Sequence, residues 1–317
     1  MFSLCYNYKE NNFDKEDDRR LKMKKFPFYK NQVLPDVFNK PEHNYNNLDE
    51  LLKWLEDAKR TNKTIKVYSD TVDSSTGLVE LSFGEEYDNK VRGYVERNDV
   101  TYHLDNTGEV HIGRCIDCLD NYIGVKVKEI NYDSTNDYYK VKCSRKDAVK
   151  EVHDKYNSDI EKGILTANMM VKGHVTGMDY NKVYVDIGGD VTAILGVADI
   201  SKAYVADPAD VFNIGDKVEL VIKKIYANPI KTSLSRAMLL PGWESIDEKY
   251  KVGKIVPGIV KNRIATGIFV ELDESFEGLA DFPANDQKYE FGDRVKVRIN
   301  VIDKKREKIK LKIIGNR

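Results

Sequence analysis

The sequence predicts a mainly β protein, made of tandem five-stranded barrels that short helices join, with a partly helical N-terminal extension. Two long segments, NIGDKVELVIKKI at 213–225 and EFGDRVKVRINVI at 290–302, share a Gly-Asp turn followed by alternating apolar and polar residues. Such alternation is typical of a strand with one buried face. A second alternating strand closes each unit, at 230–235 and at 308–313. Repeated units of about five short strands with a glycine-marked turn indicate small closed barrels.

A fainter copy of the same pattern lies upstream. LDNYIGVKVKEI at 119–130 matches the long alternating strand, and YKVKCS at 139–144 matches the closing strand. We therefore expect three barrels. The predicted divisions are, in order, a loosely ordered extension at 1–46, an amphipathic helix at 47–60, a degenerate barrel at 61–145, a linker helix at 146–162, a barrel at 163–240, a linker at 241–252 and a barrel at 253–317.

Apolar residues at helical spacing support the two predicted helices. Leu48, Leu51 and Leu55 fall on one face behind a pair of asparagines that can cap the first helix. Val152 and Tyr156 share a face of the second helix.

The charge of the chain is balanced overall but uneven along its length. Its 317 residues include 51 Lys or Arg and 52 Asp or Glu, for a formal net charge of -1. From Arg294 onward, ten basic residues stand against two acidic ones, so a polyanion site should be local. No run of about 18 apolar residues is present, and the first residues lack the apolar core of a signal peptide. We expect a cytoplasmic protein without a membrane span.

Four cysteines, Cys5, Cys115, Cys118 and Cys143, include a single CxxC pair. A structural zinc site needs four ligands, and neither a fourth nearby thiol nor a histidine pair at ligand spacing is present. We therefore predict reduced thiols and no metal.

The third unit carries the most specific pattern. KIVPGIVKNRIATGIFVELDESFEGLADF, followed by FGDRVKVRINVIDKKREKIKLKI, resembles the RNA-binding repeat of ribosomal protein S1 in its G-x-V opening, its G-x-F-V-x-L strand and its basic closing strand. Residues 163–236 resemble the same repeat. GDVTAILGVADISKAYVADPADVFNIGD is similar to the second unit of the short S1-like proteins of low-GC Gram-positive bacteria. The resemblance implies OB-fold barrels, and it is weakest for the first unit.

The resemblance also implies a binding face of outward aromatic and basic residues on neighbouring strands. Phe269 stands at the main stacking position of the third unit, and Tyr184 stands at the same position of the second. The expected RNA-binding residues are Phe269, Lys261, Arg263, Lys308, Lys310, Tyr184, Tyr180 and Lys231. Thr266 replaces a frequent second aromatic and Asp281 replaces a frequent histidine, and both departures weaken the expected contact with RNA.

Other interpretations of these residues stay open. An outward ring can serve cross-strand packing, and a row of lysines can be a solvated face that prevents aggregation. The first unit has no outward aromatic in GLVEL at 77–81, has Glu96 at the histidine-like position, and is acidic. It therefore suits a structural or protein-contact module better than an RNA-binding one.

Function is predicted from these features together. No Walker-type phosphate loop, HExxH, GxSxG or catalytic carboxylate pair is present, so we expect neither enzyme activity nor a cofactor. The leading hypothesis is a tandem single-stranded RNA-binding protein that acts in translation by holding mRNA near the small ribosomal subunit. The alternatives are a scaffold whose degenerate barrels dock on ribosome or polymerase, an accessory factor in RNA turnover or regulation, and a regulator from a mobile element.

Overall fold

Three closed barrels of five strands follow one another along the chain. The computed structural model describes residues 26–40, 45–283 and 288–316. Barrel 1 consists of β1 Thr64–Val72, β2 Val79–Ser82, β3 Val91–Val95, β4 Tyr122–Asp133 and β5 Tyr138–Ser144. Barrel 2 consists of β6 Met170–Asp179, β7 Lys182–Asp186, β8 Thr192–Gly196, β9 Lys217–Tyr226 and β10 Lys231–Ser235. Barrel 3 consists of β11 Ile255–Ile264, β12 Gly267–Asp273, β13 Phe276–Ala280, β14 Arg294–Asp303 and β15 Lys308–Asn316.

All three barrels have the same strand order. The first strand of each barrel pairs antiparallel with the second and the fourth, and the third strand pairs in parallel with the fifth. This is the closed Greek-key arrangement of the OB-fold. The predicted fold class, a mainly β protein of tandem five-stranded OB-fold barrels, is confirmed.

Each barrel encloses its own apolar core, which the alternation along the strands produces. On β14, Val295, Val297 and Ile299 are fully buried, whereas the intervening residues are exposed. The residues of this strand therefore divide cleanly between the core and the outer surface.

The α-helices within the described residues are α1 Leu48–Thr61, α2 Ile112–Ile116, α3 Arg145–Glu161 and α4 Ile246–Lys249. The Asn47 side chain accepts a hydrogen bond from the Glu50 amide and so caps α1, which buries Leu51 and Leu55 against barrel 1. No helix in the described part of the chain has the length and apolar composition needed to span a membrane.

Residues 26–40 pack on the barrels. Tyr29 is buried and its hydroxyl donates to an Asp159 carboxylate oxygen at 2.6 Å. The Gln32 side chain donates to the Lys172 carbonyl at 2.6 Å and accepts from the Lys172 amide at 2.9 Å. The prediction of a loosely ordered extension over 1–46 is therefore wrong for this segment, and residues 1–25 lie outside the described residues. The partners of Tyr29 and Gln32 are 130 and 140 positions away in the sequence, and no local pattern reveals such contacts.

A buried arginine joins barrel 1, barrel 2 and the extension. The Arg145 guanidinium donates to both carboxylate oxygens of Asp190 at 2.7 and 2.8 Å, to Asp36 at 2.7 and 3.0 Å, and to the Val100 carbonyl at 3.1 Å. Burial alone would raise the pKa of Asp190, but the charge of Arg145 overcomes this effect and holds that pKa at about 2. The two barrels and the extension thus meet at one ion-paired joint.

A second joint connects barrels 2 and 3. The Glu274 carbonyl, at the turn between β12 and β13, accepts hydrogen bonds from the Ser201 hydroxyl at 2.6 Å and from the Lys202 and Ala203 amides at 3.1 and 3.2 Å. Arg236 donates to both Glu274 carboxylate oxygens, at 2.8 and 2.9 Å. These contacts fix the β12–β13 turn of barrel 3 against a loop of barrel 2.

Candidate nucleic-acid interface

The outer surface of barrel 3 brings an aromatic ring and a lysine into one row. Phe269 on β12 is half-buried between the fully buried Ile268 and Val270, so its ring lies on the outside. Phe269 pairs with Leu279 on β13, and Leu279 pairs with Lys310 on β15. Directly paired residues share a face of the sheet. Phe269 and Lys310 therefore lie on the same surface, two strand spacings or about 10 Å apart.

Exposed cations continue this surface over β15 and β14. Lys308 and Lys310 alternate with the buried Ile309 and Leu311, and Lys312 pairs with Arg298 across the two strands. We call the basic face the set Lys296, Arg298, Lys308, Lys310 and Lys312. Within the described ranges, none of these five side chains forms an ion pair. The positive charge beside Phe269 is thus open to a ligand.

Lys261 differs from the expectation of a free cation. Its ammonium group lies 2.8 Å from the Glu271 carboxylate, and the two side chains are only 18% and 19% exposed. The protein itself therefore neutralises this charge, and the position offers little to a phosphate.

Arg263 is exposed at the end of β11, and its guanidinium lies 4.9 Å from the centre of the Phe282 ring. Phe282 is 42% exposed, and Phe291, which is 58% exposed, lies 5.8 Å from the Lys261 ammonium group. Neither ring was predicted as a site residue, because both lie in loops between strands, where no alternation assigns a direction. The sequence did offer one signal for Phe282. It directly follows Asp281, which stands where the S1 repeat frequently has a histidine of the binding face.

Barrel 2 repeats the row of barrel 3. Tyr184 on β7 is half-buried and pairs with Ile194 on β8, which pairs with Ser233 on β10. The Tyr184 ring therefore occupies the place of Phe269, and Ser233 replaces the lysine. The Tyr184 hydroxyl donates to Asp179 at 3.1 Å, and the Lys182 ammonium group lies 5.4 Å from the ring centre.

The other two predicted residues of barrel 2 are also accessible. Tyr180 is 81% exposed in the turn between β6 and β7. Lys231 begins β10 and is exposed, and it pairs with Tyr226, which is 59% exposed. Lys231 is the counterpart of Lys308 in barrel 3. Each lysine begins its strand and pairs with the last residue of the preceding strand, which is Tyr226 in barrel 2 and Asp303 in barrel 3.

In the corresponding row of barrel 1, the aromatic residue lies on the third strand of the barrel instead of the second. Glu80 occupies the place of Phe269 and pairs with Tyr94 on β3, which pairs with Lys142 on β5. The absence of an outward ring on β2 was predicted, but Tyr94 was not singled out. Lys142 is paired with Glu96 at 2.9 Å, so the positive charge of this row is neutralised.

The cysteines in the described chain are Cys115, Cys118 and Cys143, and all three are buried free thiols. Burial raises the pKa values of Cys118 and Cys143 to about 12, so both stay protonated near neutral pH. Cys5 lies outside the described residues. No group of three or more His, Cys, Asp or Glu residues that could hold a metal ion occurs in the described part of the chain.

Comparison with known proteins agrees with this geometry. The model of a family described as "S1 RNA binding domain" matches residues 164–236, which contain barrel 2. Residues 164–236 are therefore similar to the S1 RNA binding domain. The same strand order in all three barrels shows that barrels 1 and 3 share the fold of this matched region.

Curated relatives of this chain include proteins of two kinds. It is 28% identical over 200 residues to small ribosomal subunit protein bS1 of Staphylococcus haemolyticus, over 60% of this chain and 50% of that protein. It is 29% identical over 211 residues to a 4-hydroxy-3-methylbut-2-enyl diphosphate reductase of Clostridium tetani, over 63% of this chain and 33% of that protein. The chain thus spans about a third to a half of the length of these curated relatives.

Among solved structures, GSP13 from Bacillus subtilis aligns with 20% of the chain and 56% of its own length, at 32% identity and a TM-score of 0.19. This similarity is too limited to add to the fold described above.

Proposed function

We propose that the protein binds single-stranded RNA through its tandem S1-type barrels. The observation that carries the proposal is the shared outer row, in which Phe269 of barrel 3 and Tyr184 of barrel 2 occupy the same place. Beside Phe269, the basic face presents cations that the described part of the protein does not neutralise. A flat ring next to open cations is what sequence-tolerant binding of a single strand requires.

The two contributions have different physical signatures. Stacking of one base on an exposed aromatic ring contributes about 1–3 kcal/mol and does not depend on salt. Contact of a lysine with a phosphate releases counterions, so the binding constant falls with salt, by about 0.7 in log–log slope for each phosphate of a single strand. Two barrels on one RNA also gain from effective concentration, because binding of the first raises the local concentration of the second.

At the cellular level we propose that the protein acts in the cytoplasm in translation, by holding mRNA near the small ribosomal subunit, without catalysing a reaction or requiring a cofactor. The relatives named as ribosomal protein bS1 support this role. The reductase relative does not extend its activity to this chain, because the match covers only 33% of that protein.

The test is titration of an unstructured RNA of about 20 nucleotides at several salt concentrations. The triple variant Phe269→Ala, Lys308→Ala and Lys310→Ala should weaken binding at least tenfold and reduce the salt slope by about 1.4. The matched control removes one exposed ring and two exposed lysines elsewhere, Tyr132, Lys53 and Lys59, and should bind as the wild type. Salt-independent binding, or equal affinity of the two triple variants, would contradict the proposal.

A second candidate, a protein-docking module, fits barrel 1. The Tyr138 ring lies 5.0 Å from the Arg92 guanidinium and 5.4 Å from the Lys140 ammonium group, and Lys140 is paired with Asp133 at 2.9 Å. Tyrosine and arginine are enriched in protein interfaces, and the pairing of Lys140 with Asp133 reduces the positive charge that a polyanion would require. Proteins that copurify from nuclease-treated lysate with the wild type, and are lost with Tyr138→Ala, would support this function.

A further inference from the structure

Barrel 2 places a tyrosine at the edge of the outer surface of barrel 3. The Tyr204 amide donates to the Glu277 carboxylate at 3.0 Å, and the Tyr204 side chain is 47% exposed. The preceding residues Lys202 and Ala203 are bonded through their amides to the Glu274 carbonyl. The backbone that carries this ring is therefore held by successive contacts with barrel 3.

The register of the strands shows which surface of barrel 3 the tyrosine adjoins. Glu277 lies on β13 two residues before Leu279, so both side chains are on the same face, about 7 Å apart along the strand. Leu279 is the ladder partner of Phe269. Continuing the parallel pairing of Leu279 with Lys310 places Lys308 beside Glu277. The loop of barrel 2 that carries Tyr204 therefore contacts barrel 3 beside the row of Phe269 and the basic face.

Two of the three acidic residues at this seam are ion-paired within the protein. Glu271 is paired with Lys261 at 2.8 Å, and the Glu274 carboxylate is paired with Arg236 at 2.8 Å. Glu277 accepts the hydrogen bond from the Tyr204 amide. The negative charges of Glu271 and Glu274 are consequently reduced where a nucleic-acid backbone would cross between the barrels, whereas Glu277 keeps its charge.

We propose that Tyr204 is a base-stacking residue that extends the face of barrel 3, so that barrels 2 and 3 form one composite site for single-stranded RNA. The inference rests on the proposed function. A ring on an anchored backbone loses little conformational entropy when a base stacks on it, which favours this role. The path runs from Phe269 past Lys308 to Tyr204.

The test uses the full chain and an unstructured RNA of about 20 nucleotides. Tyr204→Ala and Tyr204→Leu should each weaken binding about 5- to 100-fold, whereas Tyr204→Phe, which keeps the ring, should bind as the wild type. The control is Tyr132→Ala, which removes a similarly exposed tyrosine from barrel 1. The salt slope should stay unchanged in Tyr204→Leu, because the ring carries no charge, whereas a disrupted joint between the barrels would lower it.

The outcomes separate this inference from the proposed function. If the wild type binds RNA in a manner that depends on Phe269, but Tyr204→Leu and Tyr204→Ala both bind as tightly as Tyr132→Ala, the composite site is wrong and the proposed function stands. A reduced salt slope in Tyr204→Leu also overturns it, since the residue would then act by holding the joint. If the wild type does not bind RNA, both fail.

Discussion

Replacing Arg145 with methionine should destabilise the joint between barrels 1 and 2. All five N–H groups of the guanidinium donate, to Asp36, to Asp190 and to the Val100 carbonyl. The Arg145 side chain is 10% exposed, and those of Asp190 and Asp36 are 14% and 23% exposed. Methionine would fill much of the same volume but would leave two carboxylates in the joint without their counter-ion.

The magnitude follows from this burial. Removing one member of a buried ion pair costs about 3–5 kcal/mol, because the remaining charge is neither solvated nor paired. Since Asp36 keeps partial access to water, we expect about 3 kcal/mol for Arg145→Met. Arg145→Lys keeps the charge but has no planar fork to reach both acids, so we expect a smaller loss of about 1–2 kcal/mol.

The assay is urea unfolding followed by circular dichroism, together with hydrogen exchange of peptides from α3 and from residues 26–40. Arg145→Met should lower the midpoint and speed exchange in both segments. The control is Arg60→Ala, which removes an exposed ion pair with Asp57 whose side chains are 76% and 57% exposed. Its cost should stay below about 1 kcal/mol. An unchanged midpoint and unchanged exchange in Arg145→Met would refute the role assigned to this joint.

Three further predictions follow from single positions. Gly188 has a φ of +110°, and an added Cβ would lie 1.8 Å from the Val33 carbonyl oxygen, so Gly188→Ala should displace residues 26–40 and raise their hydrogen exchange. Asp186 has a pKa raised to about 7 by burial and by Asp190, so its own contribution to stability should fall as pH rises from about 4 to 7. Asp186→Asn should remove that fall of about 3 kcal/mol, measured by unfolding across this pH range. Phe282→Ala should weaken RNA binding about fivefold or more without changing the salt slope.

Each of these predictions has a result that contradicts it. Gly163→Ala is the matched control for Gly188, since its φ is +70° and no atom lies within 4 Å of an added Cβ. Equal hydrogen exchange of residues 26–40 in the two variants would contradict the expected clash with the Val33 carbonyl oxygen. For Asp186, the folded state keeps its proton up to a higher pH than the unfolded state, so a wild type that grows more stable from pH 4 to 7 relative to Asp186→Asn would reverse the expected sign. Unchanged affinity of Phe282→Ala would exclude that ring from the interface.

Much of the fold was predictable because local patterns determine it. The alternation of β14 and the Asn47 cap of α1 are visible in the sequence and present in the structure. Residues 26–40 were not predictable, because contacts such as that of Tyr29 with Asp159 have no local period. The succession of three barrels was predictable from the repeated strand pattern. The docking of one barrel on another was not, because it depends on individual side chains such as Arg145.

The candidate site was predictable in part, for reasons that differ between residues. The outward phase of Phe269 and Tyr184 follows from strict alternation, which β12 and β7 retain. On β11 the register shifts between Val260 and Asn262, so alternation no longer assigns a direction to Arg263, which pairs opposite a buried residue. The pairing of Lys261 depends on an acid of the neighbouring strand, and a single strand pattern does not show such partners.

Photocrosslinking can test whether RNA contacts the outer rows of barrels 2 and 3. RNA substituted with 5-iodouridine is bound and irradiated, and the crosslinked peptides are identified by mass spectrometry. Because crosslinks form at stacked aromatic residues, we expect adducts at Phe269 and Tyr184, and loss of the barrel 3 adduct in Phe269→Ala. Crosslinks confined to barrel 1 or α1, with none on the outer rows of barrels 2 and 3, would contradict it.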